Sequence, residues 1–175
     1  MGRRRGKSVP NIWIDSGEYW TIKVWRIDNY VDVKVDKDLR DLFSVRNIFI
    51  VGSPNYYYPA TTHSGKSMRI HLIVFPSTSF IDHINGDKLD ARRSNLREAT
   101  RSQNGANRIP KKSSSSKFMG VAWYSLSGKW RTQITFEGKV RHVGYFTNEV
   151  DAAKAYDAAA LKYHGEFARI NTYDV

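Results

Sequence analysis

The rhythm of apolar and polar positions changes along this chain, and the changes mark its elements. Residues 11–70 carry short apolar runs, WTIKVWRI, VDVKV, NIFIVG and YYYPA, cut by polar turns. Runs of this length, rich in Val, Ile and aromatic residues, predict short strands that end at Gly, Pro and Asn. VDKDLRDLFS, residues 35–44, suits a short helix instead. Tyr56, Tyr57 and Tyr58 are read as strand core rather than as base-stacking groups. Asn85-Gly86 is a strong hairpin signal, which puts Asp82 and His83 on the strand entering a tight turn. Ser94 is a good N-cap, and 95–103 predicts a helix with Leu96, Ala99 and Gln103 on one face. Asn104, beside Gly105, ends that helix.

Farther on, Trp130, Thr132, Ile134 and Phe136 alternate with Arg131, Gln133 and Thr135, the pattern of a half-buried strand. The turn pairs Ser127-Gly128 and Glu137-Gly138 on either side predict a three-stranded meander. Asn148 caps a helix with Ala152, Tyr156, Ala159 and Tyr163 at helical spacing, and Gly165 ends it. The outer face of the sheet then carries Tyr124, Arg131, Gln133, Thr135 and His142, while Arg141 falls on an inward position and breaks the alternation. IPKKSSSSK separates the two patterns as a linker. The domain reading is a basic arm at 1–10, a lead-in and motif region at 11–108, the linker at 109–117 and a small module at 118–175.

Composition narrows the class of partner. A chain of 175 residues holds one domain or two small ones, and 41% apolar content suits a folded protein. A net charge of +11 and a pI near 9.9 point to a polyanion. The excess concentrates between 91 and 131, where Arg92, Arg93, Arg97, Arg101, Arg108, Lys111, Lys112, Lys117, Lys129 and Arg131 face a single acid, Glu98. The acid-rich stretch 28–41 is expected to lie off nucleic acid. The chain has no cysteine, which excludes disulfides and thiolate zinc sites. No apolar run approaches the roughly 20 residues of a membrane span. MGRRRGKSVP lacks the apolar stretch of an export signal and reads as a basic arm. The expected location is cytoplasmic, in the bacterial host if the chain is phage-encoded.

The candidate chemistry lies in DHINGDKLDARRSNLREATRSQN, residues 82–104. Asp and Asn oxygens suit a hard cation such as Mg²⁺. Histidine is a base matched to neutral pH, and arginine grips phosphate in a fork. Together they read as phosphodiester cleavage. The string resembles the HNH nuclease family, in the branch of phage and intron-encoded homing endonucleases, where a two-stranded ribbon and one helix wrap a divalent ion. The resemblance implies His83 as general base, Asp82 and Asn104 as metal ligands, and Asn95 as the Asn that braces the ribbon and orients the histidine. Ala91 departs from the usual Asn at a turn position. His71, in HLIVF, reads as a structural histidine near the nuclease core.

The final segment carries F-x-G-V, G-K-W, G-Y-F, a D-A-A-x-A-Y-D block and F-A-R-I-N. It resembles the DNA-binding domain of plant APETALA/ethylene-response-factor proteins, in which the sheet face contacts DNA. Met119, Ala122 and Val140 stand where that family favours contacting residues.

The combined expectation is an α+β protein. A ββα-metal HNH nuclease domain follows a strand-rich lead-in, and a three-stranded antiparallel sheet packed on one helix completes the chain. Its function would be site-directed, divalent-metal-dependent DNA cleavage, with Mg²⁺ as cofactor and Mn²⁺ as substitute. The partner is double-stranded DNA, with no membrane and no small-molecule cofactor. Arg92, Arg93, Arg97, Arg101 and Arg108 with Lys111, Lys112 and Lys117 would hold phosphates, and the sheet face would dock the target. The chain would act as a monomer or homodimer, a monomer nicking one strand. A DNA-binding regulator with a relic HNH fold and a restriction-type HNH nuclease are the alternatives.

Overall fold

Valine and isoleucine at every second position build the first sheet. The computed structural model describes residues 9–53, 56–77, 79–108 and 115–173. Strands β1 (Ile12–Asp15), β2 (Tyr19–Arg26) and β3 (Asn29–Asp36) form an antiparallel sheet in chain order. Ile22, Val24, Val33 and Val35 share its buried face, and pairs such as Ile22 with Val33 stack across the ladder. The expected helix within 35–44 appears as a 3-10 turn and helix α1 (Arg40–Ser44), which put Leu39 and Phe43 into the same core.

A second antiparallel sheet follows, β4 (Ile48–Ser53), β5 (Tyr56–His63) and β6 (Lys66–Arg69), and then the short helix α2 (Ile70–Val74). Strand β7 (Phe80–His83) pairs with β8 (Leu96–Ala99) as a two-stranded ribbon. Ile48, Ile70, Val74, Ala91 and Leu96 join the core of the first sheet. Ala91, a turn residue on the sequence reading, is fully buried there.

The contacts divide the chain into two units, Met1–Glu98 and Ala99–Val175. In the second unit, helix α3 (Arg101–Ala106) precedes the meander β9 (Val121–Tyr124), β10 (Lys129–Phe136) and β11 (Lys139–Phe146), and helix α4 (Glu149–His164) follows it. The helix begins as the sequence indicates: the Asn148 side chain accepts from the backbone N–H groups of Val150 and Asp151. Alanines at 152, 153 and 160 are fully buried, and Phe118, Val121, Trp130, Phe146 and Tyr173 pack around the first two. Buried Thr132 donates its hydroxyl to the Ala152 carbonyl at 3.0 Å, tying helix to sheet.

Gly120 permits the closest approach in this unit. Its φ is +70°, and a Cβ there would meet the Tyr156 ring at 1.9 Å and the Gln133 carbonyl oxygen at 2.8 Å. Gly120→Ala should therefore cost roughly 2–4 kcal/mol, combining left-handed strain with overpacking. Denaturant unfolding of the full chain measures it; a loss under about 1 kcal/mol would show that Tyr156 moves aside freely.

Candidate active site

The segment after β7 does not return as a tight hairpin. Gly86, at φ +77°, makes the expected turn, and its N–H donates to the His83 carbonyl at 2.8 Å. The chain then winds on, because Asn85 Oδ1 accepts from Asp87 N at 2.8 Å and Asp87 Oδ1 from Leu89 N at 3.0 Å. Consecutive side-chain turns of this kind compete with strand pairing. The loop next docks on the open edge of β3: Lys34 N donates to the Leu89 carbonyl and Ala91 N to the Lys34 carbonyl, both at 2.9 Å.

Buried Asp90 and Asn95 hold this loop closed. Asp90 accepts Arg92 Nε at 2.8 Å, Arg92 Nη2 at 2.7 Å and Asn85 Nδ2 at 3.1 Å. Burial alone would raise the Asp90 pKa. The Arg92 hydrogen bonds and charge, with Lys34 beyond, outweigh it and hold the carboxyl below its ordinary range. Asn95 Oδ1 accepts Asn85 N at 3.0 Å, and its Nδ2 donates to the Asp90 carbonyl at 2.9 Å. The Asn95 carbonyl also receives Ile84 N at 2.9 Å, so one residue joins both arms of the loop.

The helix expected over 95–103 is a correction. Arg93–Asn95 is a 3-10 turn, and Leu96–Ala99 is strand β8. The cap is Thr100, whose Oγ1 accepts Gln103 N at 3.2 Å while Gln103 Oε1 accepts Thr100 N at 2.7 Å. This capping box, T-x-x-Q, was present in the sequence and outcompetes Ser94 because both of its arms are satisfied. Asn104 therefore lies inside α3, with Asn107 as the C-cap. Asn104 belongs to the second unit, and Asp82, His83 and Asn95 belong to the first.

Asp82 and His83 are both buried at the end of β7. Asp82 Oδ2 accepts Arg97 Nε at 3.0 Å and Nη2 at 2.8 Å. The His83 ring meets His71 of α2 edge-on, centroids 5.1 Å apart, and Tyr58 of β5 lies 5.2 Å from His71 and 6.2 Å from His83. Burial lowers the His83 pKa to about 4, with Lys88 reinforcing and Asp82, Asp87 and Asp90 opposing. Burial, then His83, then Arg69 lower that of His71 to about 3. Both rings are neutral at pH 7. His71, read from the sequence as a structural histidine near the nuclease core, is buried and packs directly on His83.

The arginines expected to face phosphate are largely engaged within the first unit. Arg92 is held by Asp90 and stacks 4.4 Å over Tyr19. Arg93 donates its backbone N–H to Asp36 at 2.9 Å and its Nη1 to Asp38 at 2.8 Å, and Arg97 is the partner of Asp82. Their carboxylate partners, Asp36, Asp38, Asp82 and Asp90, all precede residue 91, so the charge count over 91–131 leaves them out. Arg101, Arg108 and Lys117 are exposed, and Lys111 and Lys112 lie outside the described residues.

In the second unit the strand pairings put Arg131, Gln133 and Thr135 on one face with Tyr124 and His142. The register shifts between Thr132 and Gln133, leaving Val143 without an opposite residue. This bulge turns Tyr145 onto the same face, where strict alternation from His142 would have hidden it. Arg131 stacks 5.3 Å from the Tyr124 ring, Tyr124 and Tyr145 lie 5.4 Å apart, and His142 and Tyr145 4.6 Å apart. Arg141 holds the inward register expected of it, opposite Ile134, yet remains exposed, over the rings of Phe136 and Tyr163 at 5.6 and 5.2 Å. A second break in the alternation lies at Val143.

Comparison with known proteins adds the family. Residues 75–106 match the family model described as HNH endonuclease. Protein 3.8 of Escherichia phage T7 is 32% identical over 111 residues, 59% of this chain and 91% of that protein. The chain has an HNH endonuclease domain and belongs to one family with protein 3.8. An uncharacterized HNH endonuclease of Acanthamoeba polyphaga mimivirus is 33% identical over 125 residues, 67% of this chain and 64% of the viral protein. APETALA2-like protein 2 of Oryza sativa is 42% identical over 60 residues, 34% of this chain and 14% of the plant protein. The chain thus spans under two thirds of the viral relative and a small part of the plant one. No solved structure matches it. Among the described residues, no helix is long and apolar enough to cross a membrane.

Within the HNH domain, no three His, Cys, Asp or Glu side chains among the described residues cluster as a metal site. Asp82 is a buried carboxylate of the kind a hard divalent ion takes, but its Oδ2 is held by the Arg97 guanidinium, a cation that such an ion would have to share or displace.

Two outcomes follow from this geometry. Asn95→Ala leaves Asn85 N and the Asp90 carbonyl without their buried partner and should cost about 2–4 kcal/mol in chemical unfolding; a variant that unfolds like wild type would remove Asn95 as the brace. The histidines give a pH dependence. Both take a proton in the unfolded chain near pH 6.5 but stay neutral in the fold, so stability is full above that pH and falls as pH drops toward their folded values of about 3 and 4. At pH 5.5 the loss should be about 1.4 kcal/mol for each histidine, and His71→Gln should remove about half of it. Urea unfolding at pH 7.5 and 5.5 reads both; a pH-independent wild type would contradict the neutral pair.

Proposed function

We propose that this chain is a site-directed DNA endonuclease of the HNH homing type that hydrolyses one phosphodiester bond per site. The observation that supports it most is His83, buried and neutral on a strand end beside Asp82, inside the segment matching the HNH family. On this reading His83 Nε2 or Nδ1 takes a proton from water. The water oxygen attacks phosphorus in line, and the bond to the departing 3′ oxygen breaks, leaving a 5′ phosphate and a 3′ hydroxyl. Asp82 and Asn104 are the residues the HNH resemblance offers to Mg²⁺, with Mn²⁺ as substitute. The ion when bound supplies charge for the crowded phosphate oxygens and the leaving oxygen. Asn95 acts through the loop, fixing where His83 sits.

Double-stranded DNA is the proposed partner. Arg131, Gln133, Thr135, Tyr124, Tyr145 and His142 form the docking face, in which arginine and glutamine suit base edges and the tyrosines suit stacking or sugar contact. Arg101, Arg108, Lys111, Lys112 and Lys117 would follow phosphates, with affinity that falls steeply with salt. A monomer would nick, and a homodimer or a second visit would be needed to cut both strands.

Supercoiled plasmid tests the reaction. With Mg²⁺ the wild type should yield nicked circles, and EDTA should abolish them. His83→Ala should lose about 100-fold or more in cleavage while binding duplex within about 3-fold of wild type. EDTA-resistant nicking, or an active His83→Ala, would overturn the assignment.

A further inference from the structure

Two cations lie beside the histidine pair. Lys88, in the loop after β7, holds its ammonium 4.0 Å from the Tyr56 ring and 5.3 Å from the Tyr58 ring. Arg69, at the end of β6, stacks 4.3 Å over Tyr58. Tyr56 and Tyr58 alternate onto one face of β5, and Arg69 sits opposite Ala60 on that face, so a single aromatic platform carries both cations. The same Tyr58 ring contacts His71 and His83. Among the described residues neither Lys88 nor Arg69 makes an ion pair, in contrast to Arg92, Arg93 and Arg97.

We propose that Lys88 and Arg69, mounted on Tyr56 and Tyr58, form an oxyanion site that binds a phosphodiester of the DNA backbone next to His83. This rests on the nuclease reading above and adds the groups that hold the phosphate. The nearby acids are committed elsewhere: Asp82 to Arg97, Asp90 to Arg92, and Asp87 Oδ1 to the Leu89 backbone. Lys88 is half-buried, and burial together with the Arg69 charge lowers its pKa. Two like charges gathered on one aromatic ring, each raising the cost of the other, are relieved by an anion that meets both. A phosphodiester carries one negative charge on two non-bridging oxygens, one for an ammonium and one for a guanidinium. The tyrosine faces hold both heads in place before the phosphate arrives, which favours charge developing on those oxygens during attack.

The test is made on the full chain. Amine acetylation followed by mass spectrometry reads Lys88 with no ligand, with duplex DNA and with inorganic phosphate. Duplex should slow Lys88 acetylation about 5-fold or more, and inorganic phosphate at millimolar concentration should leave it unchanged. Single-turnover plasmid cleavage by Lys88→Gln and Arg69→Gln should fall about 10- to 100-fold. Lys88→Arg should recover most of that loss, which a purely structural lysine would not require. Equal acetylation with and without duplex overturns the proposal, as does protection by inorganic phosphate alone or wild-type cleavage by Lys88→Gln. A wild type that never cuts, yet has Lys88 shielded by duplex, sinks the nuclease reading and keeps the phosphate site. Because the footprint uses the wild type, a variant that fails to fold still leaves a decisive measurement.

Discussion

The hydrogen bonds that Lys34 makes through its backbone govern the rest of the first unit. The loop 85–92 has no helix or strand of its own and meets a sheet where Leu89 and Ala91 bond the edge of β3. That contact closes an otherwise open sheet edge. It also buries Ala91 and brings Leu96 into the core of the lead-in sheet. Arg92 on Tyr19 and Arg93 on Asp36 and Asp38 fasten the same loop to the same sheet. The lead-in, which shows only alternating strands and no chemistry in sequence, is therefore the support on which Asp82 and His83 are aimed. A side chain larger than Ala at position 91 would have to displace that seam.

Burial of His83 sets its chemistry in two opposite ways. It keeps the imidazole unprotonated at neutral pH, a requirement for a base, and it makes that imidazole a weak one. The carboxylates Asp82, Asp87 and Asp90 pull the pKa upward, and Lys88 pulls it down with the burial. The balance is reached with Asp90 locked by Arg92, so the hydrogen bonds that shape the loop also fix part of the field at the histidine. Fold and reactivity are thus coupled through the same few buried polar groups.

Local rules were legible in the sequence, and partners distant along the chain were not. The meander, its turns, the Asn148 cap and the Gly165 stop all follow from neighbouring residues, and the structure has each of them. The strands of the lead-in appear for the same reason. The helix over 95–103 fails because Ser94 satisfied one capping criterion and Thr100 with Gln103 satisfied two. The hairpin at Asn85-Gly86 fails because Asn85, Asp87 and Asp90 offer side-chain turns that a dipeptide signal ignores. Tyr145 was hidden by one extra residue at Val143, which no strict period of two can represent. Arginines 92, 93 and 97 read as phosphate clamps because the charge count over 91–131 leaves out the acids that hold them, at 90, at 36 and 38, and at 82.

Those ion pairs change where the useful positive charge lies. Pairing leaves the net +11 unchanged, since the carboxylates are already counted in it, but it takes three arginines of the motif out of the charge open to a polyanion. Breaking such a pair where it is buried, as between Arg97 and Asp82, strands a charge, so these arginines cannot turn outward without a substantial penalty. Among the described residues, exposed cations include Arg101 and Arg108, Arg131 lies on the sheet face, and Lys88 and Arg69 lie at the histidine pair. Long-range attraction to DNA depends on the number of such charges and is screened by salt. Alignment of one phosphate depends on the few that are held rigidly against aromatic rings. On the proposed reading the fold separates these tasks: exposed cations would supply encounter and affinity, and the small set fixed on aromatic rings would align the bond to be cut.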